Sequence, residues 1–434
     1  MVDKEEVRPQ HNSHHFLLVA YGVQSHINPG RVLAHRLTRL GIDGSVLATL
    51  SIPVASYHRM FPDATMAETA TDGIISYIPC SDGVDDGSWP KDANDRALRR
   101  RASSENLSAI VARFADRGQP VTCIICTMIF LPVLDVAREH NIPVAIYWIQ
   151  PATLLAINYH YFHGYNELIT SHATDPTYKV CLPGLSCPLQ IVGPMVGSST
   201  EARIHLFKHD NVDKKRYMEW LQAHPEKSVV YVSFGSVTKN SKRQMDEIIG
   251  GLRQCRRPYL LVVRKDGLED DDENNHNLED TQSQLGMVVE WCDQLEVLSH
   301  SAVGCFVSHC GWNSTIEAVV SGVPVIGVPN MLDQLTNIYL IEEEWGIGIK
   351  GERNNDGVVT GTELARCIEL VMGESPKAMA IRERSKALKE IAQASVNAGG
   401  SAEKKLRDFI KTIQVNDTFC MDGIMSVNKA IAEN

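Results

Sequence analysis

No uninterrupted apolar stretch of this 434-residue chain is long enough to span a bilayer. G-x-x-x-x-G-K-[ST] does not occur, so P-loop chemistry lacks its fingerprint. Basic charge is not in excess: 42 Lys and Arg stand against 53 Asp and Glu, a net charge of −11, which argues against nucleic acid or an anionic membrane as the main partner. The eleven cysteines are odd in number and scattered, without a secretory disulfide framework. The opening M-V-D-K-E-E-V-R-P-Q-H-N-S-H-H lacks the apolar core of a signal peptide, and a reducing cytosol is the expected setting. His160 and His163 have no third or fourth ligand beside them, so lining or packing is expected rather than metal binding. Cys123-x-x-Cys126 lies within the apolar run Val121 to Cys126, which reads as a buried strand pair rather than a redox motif.

What is present is enough apolar material, 44% of residues, to fill two cores in a chain too long for one. Phe16 to Tyr21 reads as a buried strand, followed by Gln24-Ser25-His26-Ile27 and by Asn28-Pro29, read as a helix N-cap and first position. His26 is thereby delivered to a strand-to-helix loop. Strands at Ser45 to Leu50, Ile74 to Ile78, Val121 to Cys126 and Ile142 to Trp148 alternate with helices at Leu98 to Ala115 and Pro132 to His140. That alternation predicts a mostly parallel sheet covered by helices. Ser81 to Gly87 is a turn-rich loop whose carboxylates read as turn formers.

The second half repeats the alternation, with strands at Ser228 to Ser233, Tyr259 to Val263, Met287 to Val289, Ala302 to Ser308, Val323 to Val328 and Gly346 to Ile349. Arg243 to Arg253 reads as a helix, as do Ala378 to Asn397 and Ala402 to Ile413. Met195 to Lys215 is polar and reads as a linker, and Glu269 to Asn277 reads as a solvated acidic loop. The chain is centred on Trp291 to Gln334. There a buried strand ends at His309-Cys310-Gly311 and Asn313-Ser314-Thr315 opens a helix, whose free N–H groups and partial positive charge could receive a diphosphate. Taken by itself, Ser314-x-x-Glu317 is equally an ordinary capping box that needs no ligand.

This run resembles the donor-binding signature of plant secondary-product UDP-glycosyltransferases, glycosyltransferase family 1: Trp291, Gln294, His309, Gly311, Trp312, Asn313, Ser314, Glu317, Asp333 and Gln334 all match. The resemblance implies an α/β fold of GT-B type, two Rossmann-like domains facing across a cleft. It sets an acceptor-binding domain at 1–194, a linker at 195–215, a UDP-sugar-binding domain at 216–396, and at 397–434 a helix packing back on the first domain plus a tail. It implies that Trp291 stacks on uracil with Cys292 beside it, and that Glu317 and Gln294 hold the ribose hydroxyls. Ser236, His309, Gly311, Asn313 and Ser314 would hold the diphosphate, and Trp312, Asp333 and Gln334 would face the sugar. Trp312 in place of an arginine gives no invitation to a uronic acid. Gln334, where a histidine would suggest galactose, favours glucose.

Q-S-H-I-N-P matches the family's first loop, whose histidine removes the acceptor's proton, so His26 is the implied base. Its usual aspartate partner is replaced by Thr127, which can orient the ring but cannot stabilise its charge. His26 is therefore expected to be a weak base serving phenols or carboxylic acids. The motifs Asp135 to Glu139 and Trp148 to Thr153 resemble the branch of anthocyanin 5-O-glucosyltransferases and of enzymes forming glucosyl esters of crocetin and plant-hormone acids. UDP-glucose is the implied donor, with no cofactor or metal, a small aromatic or carboxylic acceptor, and a monomer.

Two further departures stand out. Asp293 occupies a position usually held by proline, and almost nothing lies between Leu185 and Gln190, where the family carries several tens of residues. The competing reading is a UDP-sugar-binding protein without turnover.

Overall fold

The computed structural model describes residues 14–41, 45–65, 69–128, 131–172, 192–196, 211–264 and 285–415. The chain divides into two compact units, Met1–Ile149 with Lys405–Met425, and Gln150–Lys404 with Ser426–Asn434.

The first unit runs β1 (His14–Val19), α1 (Gln24–Leu40), β2 (Val46–Pro53), α2 (Val54–Met60), β3 (Ala70–Thr71), β4 (Ser76–Cys80), α3 (Ala93–Asp116), β5 (Cys123–Cys126), α4 (Leu131–His140) and β6 (Val144–Ile146). Among the described residues its sheet has six strands in the order β3-β4-β2-β1-β5-β6, parallel except for β3. Such a sheet is covered on both faces, so β1, β2 and β5 are buried along nearly their whole length rather than on alternate residues. Leu17 and Val19 pack with Leu107, Ile110, Val111 and Phe114 of α3 and with Val133 and Val136 of α4. The ring of Phe16 instead lies 5.9 Å from that of Phe409. Among the described residues β6 is an edge strand, and its three residues are only partly buried.

The second unit begins with α5 (Ala152–His160), a π-helical turn (Tyr161–Tyr165) and α6 (Asn166–Ser171). His160 is buried with its ring 5.3 Å from those of Tyr159 and Tyr165, and His163 Nδ1 lies 2.7 Å from the Tyr159 carbonyl. These histidines pack; among the described residues no group of three His, Cys, Asp or Glu could hold a metal ion.

After α7 (Asn211–Gln222) come β7 (Val229–Ser233), α8 (Lys242–Cys255), β8 (Tyr259–Val262), β9 (Gly286–Val289), α9 (Gln294–Ser299), β10 (Val303–Ser308) and α10 (Trp312–Ser321). Then follow β11 (Val325–Gly327), α11 (Gln334–Tyr339), β12 (Gly348–Lys350), α12 (Gly361–Met372), α13 (Pro376–Val396) and α14 (Ser401–Val415), whose residues from Lys405 belong to the first unit. The all-parallel sheet has the order β12-β11-β10-β7-β8-β9. Along β7, Val229 and Tyr231 face one core and Val230 and Val232 the other. Burying one such side chain stabilises by about 1.5–3 kcal/mol.

Three expectations are corrected. The helix after β1 starts at Gln24 with Val23 as its N-cap, so Asn28 is not the cap and Pro29 lies inside. A proline this near the start removes one helix bond and supplies a helical φ, so the chain keeps winding through it. His26 accordingly sits in the first helical turn rather than in a loop.

Residues 211–215 of the expected linker belong to α7. Its polar composition hid a sparse stripe in which Tyr217 and Leu221, four residues apart, are fully buried. Lastly, α10 is capped by Gly311 with no side-chain hydrogen bond, so Ser314 and Glu317 do not form a capping box. The junction between Leu185 and Gln190, the acidic loop from Glu269 and the tail beyond Val415 lie outside the described residues.

Candidate functional site

In each unit the candidate residues gather where the strand order reverses, the place where open α/β sheets leave a crevice at the carboxyl ends of their strands. In the first unit that point lies between β1 and β5, paired in register up to Val19 with Cys126. His26 follows β1 and Thr127 follows β5. His26 Nδ1 lies 2.9 Å from the Thr127 carbonyl and 3.0 Å from its hydroxyl. The Tyr21 ring stands edge-on, 5.1 Å away. Burial pushes the imidazole from its ordinary 6.5 down to about 4, against a smaller opposing effect of the bond to the Thr127 carbonyl. The partial positive charge of the α1 start acts in the same direction as burial.

In the second unit the reversal lies between β7 and β10, paired up to Ser233 with Ser308. Phe234-Gly235-Ser236 leaves β7 and His309-Cys310-Gly311 leaves β10. Cys310 takes a left-handed φ of 63°, held by its N–H to Ser308 Oγ at 3.0 Å and its carbonyl to Asn337 Nδ2 at 2.8 Å. A non-glycine residue held there stores strain of order 1–3 kcal/mol, which clusters at functional turns. The turn aims the start of α10 back across the strand ends.

His309 is buried and its Nδ1 has no hydrogen-bond partner. Burial, and then the charge of Arg264, lower its pKa to about 4, so the ring is neutral at pH 7. A methyl group on Gly235 or on Gly311 would meet His309 Nε2 at 2.5 Å. Both glycines are required by that close approach.

Beside this seat a second cluster forms. Gln294 Nε2 donates to Glu317 Oε2 at 2.6 Å and to Ser314 Oγ at 2.8 Å, while Tyr231 OH donates to Gln294 Oε1 at 3.3 Å. Trp291 ends the segment after β9 and is half-buried, whereas the Cys292 thiol is in the core, 3.3 Å from Tyr231 OH. Asp293, the departure from proline, is the N-cap of α9: its Oδ1 accepts from Glu296 N–H at 3.1 Å.

Trp312 and Asn313 are half-buried at the start of α10, and the Trp312 ring lies 6.2 Å from that of Trp345. Burial raises the Asp333 carboxyl above its usual range, with Asn337 Nδ2 at 2.9 Å opposing. Gln334 is buried, and its Oε1 accepts from the N–H groups of Asn330 and Met331 at 2.7 and 3.0 Å. Its amide therefore shapes the loop before α11. Ser236 is half-buried in the turn after β7.

Three residues of this assembly were not singled out from sequence. Tyr231 orients Gln294, Asn337 ties Asp333 to Cys310, and Arg264 donates from Nη1 to the Gly235 carbonyl at 2.6 Å. Only Arg264 left a signal, a cation directly ending an apolar strand.

A doubly wound unit with a strained turn and an open helix start at its point of strand reversal belongs to the class of nucleotide-binding α/β folds. Residues 196–383 match the family described as UDP-glucoronosyl and UDP-glucosyl transferase. The chain is 34% identical to a crocetin glucosyltransferase of Gardenia jasminoides, with 92% of this chain and 97% of that one covered. It is 32% identical to an anthocyanidin 3-O-glucoside 5-O-glucosyltransferase of Perilla frutescens, covering 92% and 98%. The crystal structure of Os79 from O. sativa with UDP shares the fold, with a TM-score of 0.74 and 23% identity over 92% of this chain and 100% of that one.

The chain belongs to the UDP-glycosyltransferase family and, within it, to the plant branch represented by those crocetin and anthocyanidin enzymes. It is accordingly a glycosyltransferase, and among the described residues no helix is long and apolar enough to cross a membrane.

Proposed function

We propose that the chain transfers glucose from UDP-glucose, with inversion, to a phenolic hydroxyl or a carboxylic acid of a small plant metabolite. The observation that carries this reading is the His26–Thr127 pair. A carbonyl oxygen only accepts, so Nδ1 holds the ring proton and Nε2 presents the lone pair. With the ring lowered to about 4, it is a poor match for an aliphatic alcohol and a better one for a phenol, near ~10, or an acid already ionised at pH 7.

In the reaction a phenol gives its proton to His26 Nε2 as its oxygen bonds to the anomeric carbon. The bond from that carbon to the diphosphate breaks on the opposite face, and the electron pair leaves with UDP. A carboxylate acceptor needs no proton removed, and His26 then only orients it. The donor is read as held by Trp291 against uracil, Gln294 and Glu317 on ribose, and His309, Gly311, Asn313, Ser314 and Ser236 around the diphosphate. Trp312, Asp333 and Gln334 are read as lining the sugar. The first turn of α10 and the neutral His309 supply donors to the departing charge, an electrostatic role that asks for no metal. We read the protein as a monomer of the cytosol.

A screen of purified protein against UDP-sugars and acceptors, scored by UDP release, tests this. Turnover on phenols or acids with UDP-glucose, lowered at least 100-fold for phenols by His26→Ala, is expected. Calorimetric binding of UDP with no release on any acceptor would instead identify a binding protein.

A further inference from the structure

His309 is held in an unusual way. Its Nδ1 is buried without a partner, so no hydrogen bond at that atom sets the angle of the ring. What sets it is contact: Gly235 lies against Nε2 and Cε1, and Gly311 lies against Nε2. The imidazole is therefore slotted between two turns that leave the strands on either side of the reversal point. Either turn, if displaced, frees the ring to tilt.

The Gly311 side of the slot is fixed by the β10–α10 turn and its bonds to Ser308 and Asn337. The Gly235 side, with φ of 74°, is a glycine turn with little intrinsic stiffness. Its carbonyl is held by Arg264 at 2.6 Å, from the end of the neighbouring strand β8. A charge-assisted hydrogen bond of this kind is roughly twice as strong as a neutral one.

The unpartnered nitrogen also fixes the proton. A buried N–H without an acceptor is rarer and costlier than a buried acceptor without a donor, so the neutral ring keeps its hydrogen on Nε2. Nε2 is the nitrogen lying between the two glycines at the strand ends, where a phosphate oxygen can receive it. Beyond the turn it holds, the positive charge of Arg264 also disfavours protonation of the ring.

We propose that Arg264 is a positioning residue of the diphosphate seat: by holding the Gly235 carbonyl it fixes one wall of the slot that keeps His309 Nε2–H aimed at the donor's phosphates. This rests on the reading of the second unit as a UDP-sugar site. Arg264 acts through Gly235 and His309.

The test compares UDP with uridine, which lacks the phosphates, by calorimetry on the full chain. Arg264→Met is expected to weaken UDP at least tenfold and to leave uridine within twofold, because uridine draws only on the Trp291, Gln294 and Glu317 contacts. Gly235→Ala, which crowds the ring directly, is expected to give the same split. Unaltered UDP affinity in Arg264→Met would overturn the proposal. So would an equal loss for both ligands, which is what mere unfolding would give. If the unmodified protein binds UDP no better than uridine, the donor-site reading itself fails, and this proposal with it.

Discussion

The Nδ1 atom of His26 points at the backbone carbonyl of Thr127, 2.9 Å away, so the main chain rather than a carboxylate orients this imidazole. The carbonyl fixes the tautomer and favours the charged ring less than burial disfavours it, so the pKa falls to about 4. The expected consequence is a kcat/KM profile for a neutral phenol without a protonation limb near 6.5; the limb from His26 falls near 4. The same shift works on stability. Because the folded value is below the unfolded one, the unfolded chain binds more protons between them, and stability present above pH 6.5 is lost as pH falls through about 4. Rate measured from pH 4 to 8 on one acceptor, with parallel thermal melts, checks both.

Replacing Thr127 by aspartate puts a carboxylate where the hydroxyl now lies 3.0 Å from Nδ1. An opposite charge at that range raises an imidazole by about 1–3 units. The acid limb should move up by that amount, and turnover on a primary aliphatic alcohol should rise at least tenfold relative to a phenol. If every acceptor class kept its rate, Thr127 would not be what limits the base.

Much of this was readable from the chain, and the reasons for the misses are physical. Strands buried on both faces, such as β7 and β10, are near-continuous apolar runs, and the sequence locates them within a residue or two. The turn from His309 to Gly311 was legible because a strand, a glycine and a helix opening follow one another there. The start of α1 was not, because Pro29 normally marks a first helical position and here sits inside the helix. Nor was α7 legible, since two buried residues, Tyr217 and Leu221, anchor an otherwise polar segment. Arg264 and Asn337 act on residues 29 and 27 positions away, through hydrogen bonds that no local pattern encodes.

Glu317 receives the Gln294 amide at 2.6 Å and so is oriented before any ligand arrives. If this pair reads ribose hydroxyls, Glu317→Ala should cost the charge-assisted bonds it would make, about 1.5–3 kcal/mol, or roughly 10- to 150-fold in UDP affinity. The loss should largely vanish with 2′,3′-dideoxy-UDP, which offers no hydroxyls. Calorimetry with both ligands on both proteins makes a closed cycle, and an equal loss for the two nucleotides would assign Glu317 a structural role instead.

Asp293 shows what a departure from the family pattern does locally. Its carboxylate caps α9 through Glu296 N–H at 3.1 Å, and its own N–H donates to the buried Tyr217 hydroxyl at 3.3 Å. Asp293→Ala removes the cap alone, which should cost about 1 kcal/mol and lower the Tm by roughly 2–4 °C. Asp293→Pro restores the residue the family usually carries, and the φ of −72° already suits proline. The unfolded chain then loses freedom, worth about 0.4–1 kcal/mol, but the bond to Tyr217 is lost with the N–H, a term of similar size and opposite sign. The proline variant should therefore melt no higher than the alanine one, and both should bind UDP within twofold of the parent. A proline variant that melts above the parent would mean that neither the cap nor the Tyr217 bond contributes, and that the turn tolerates aspartate without drawing any stability from it.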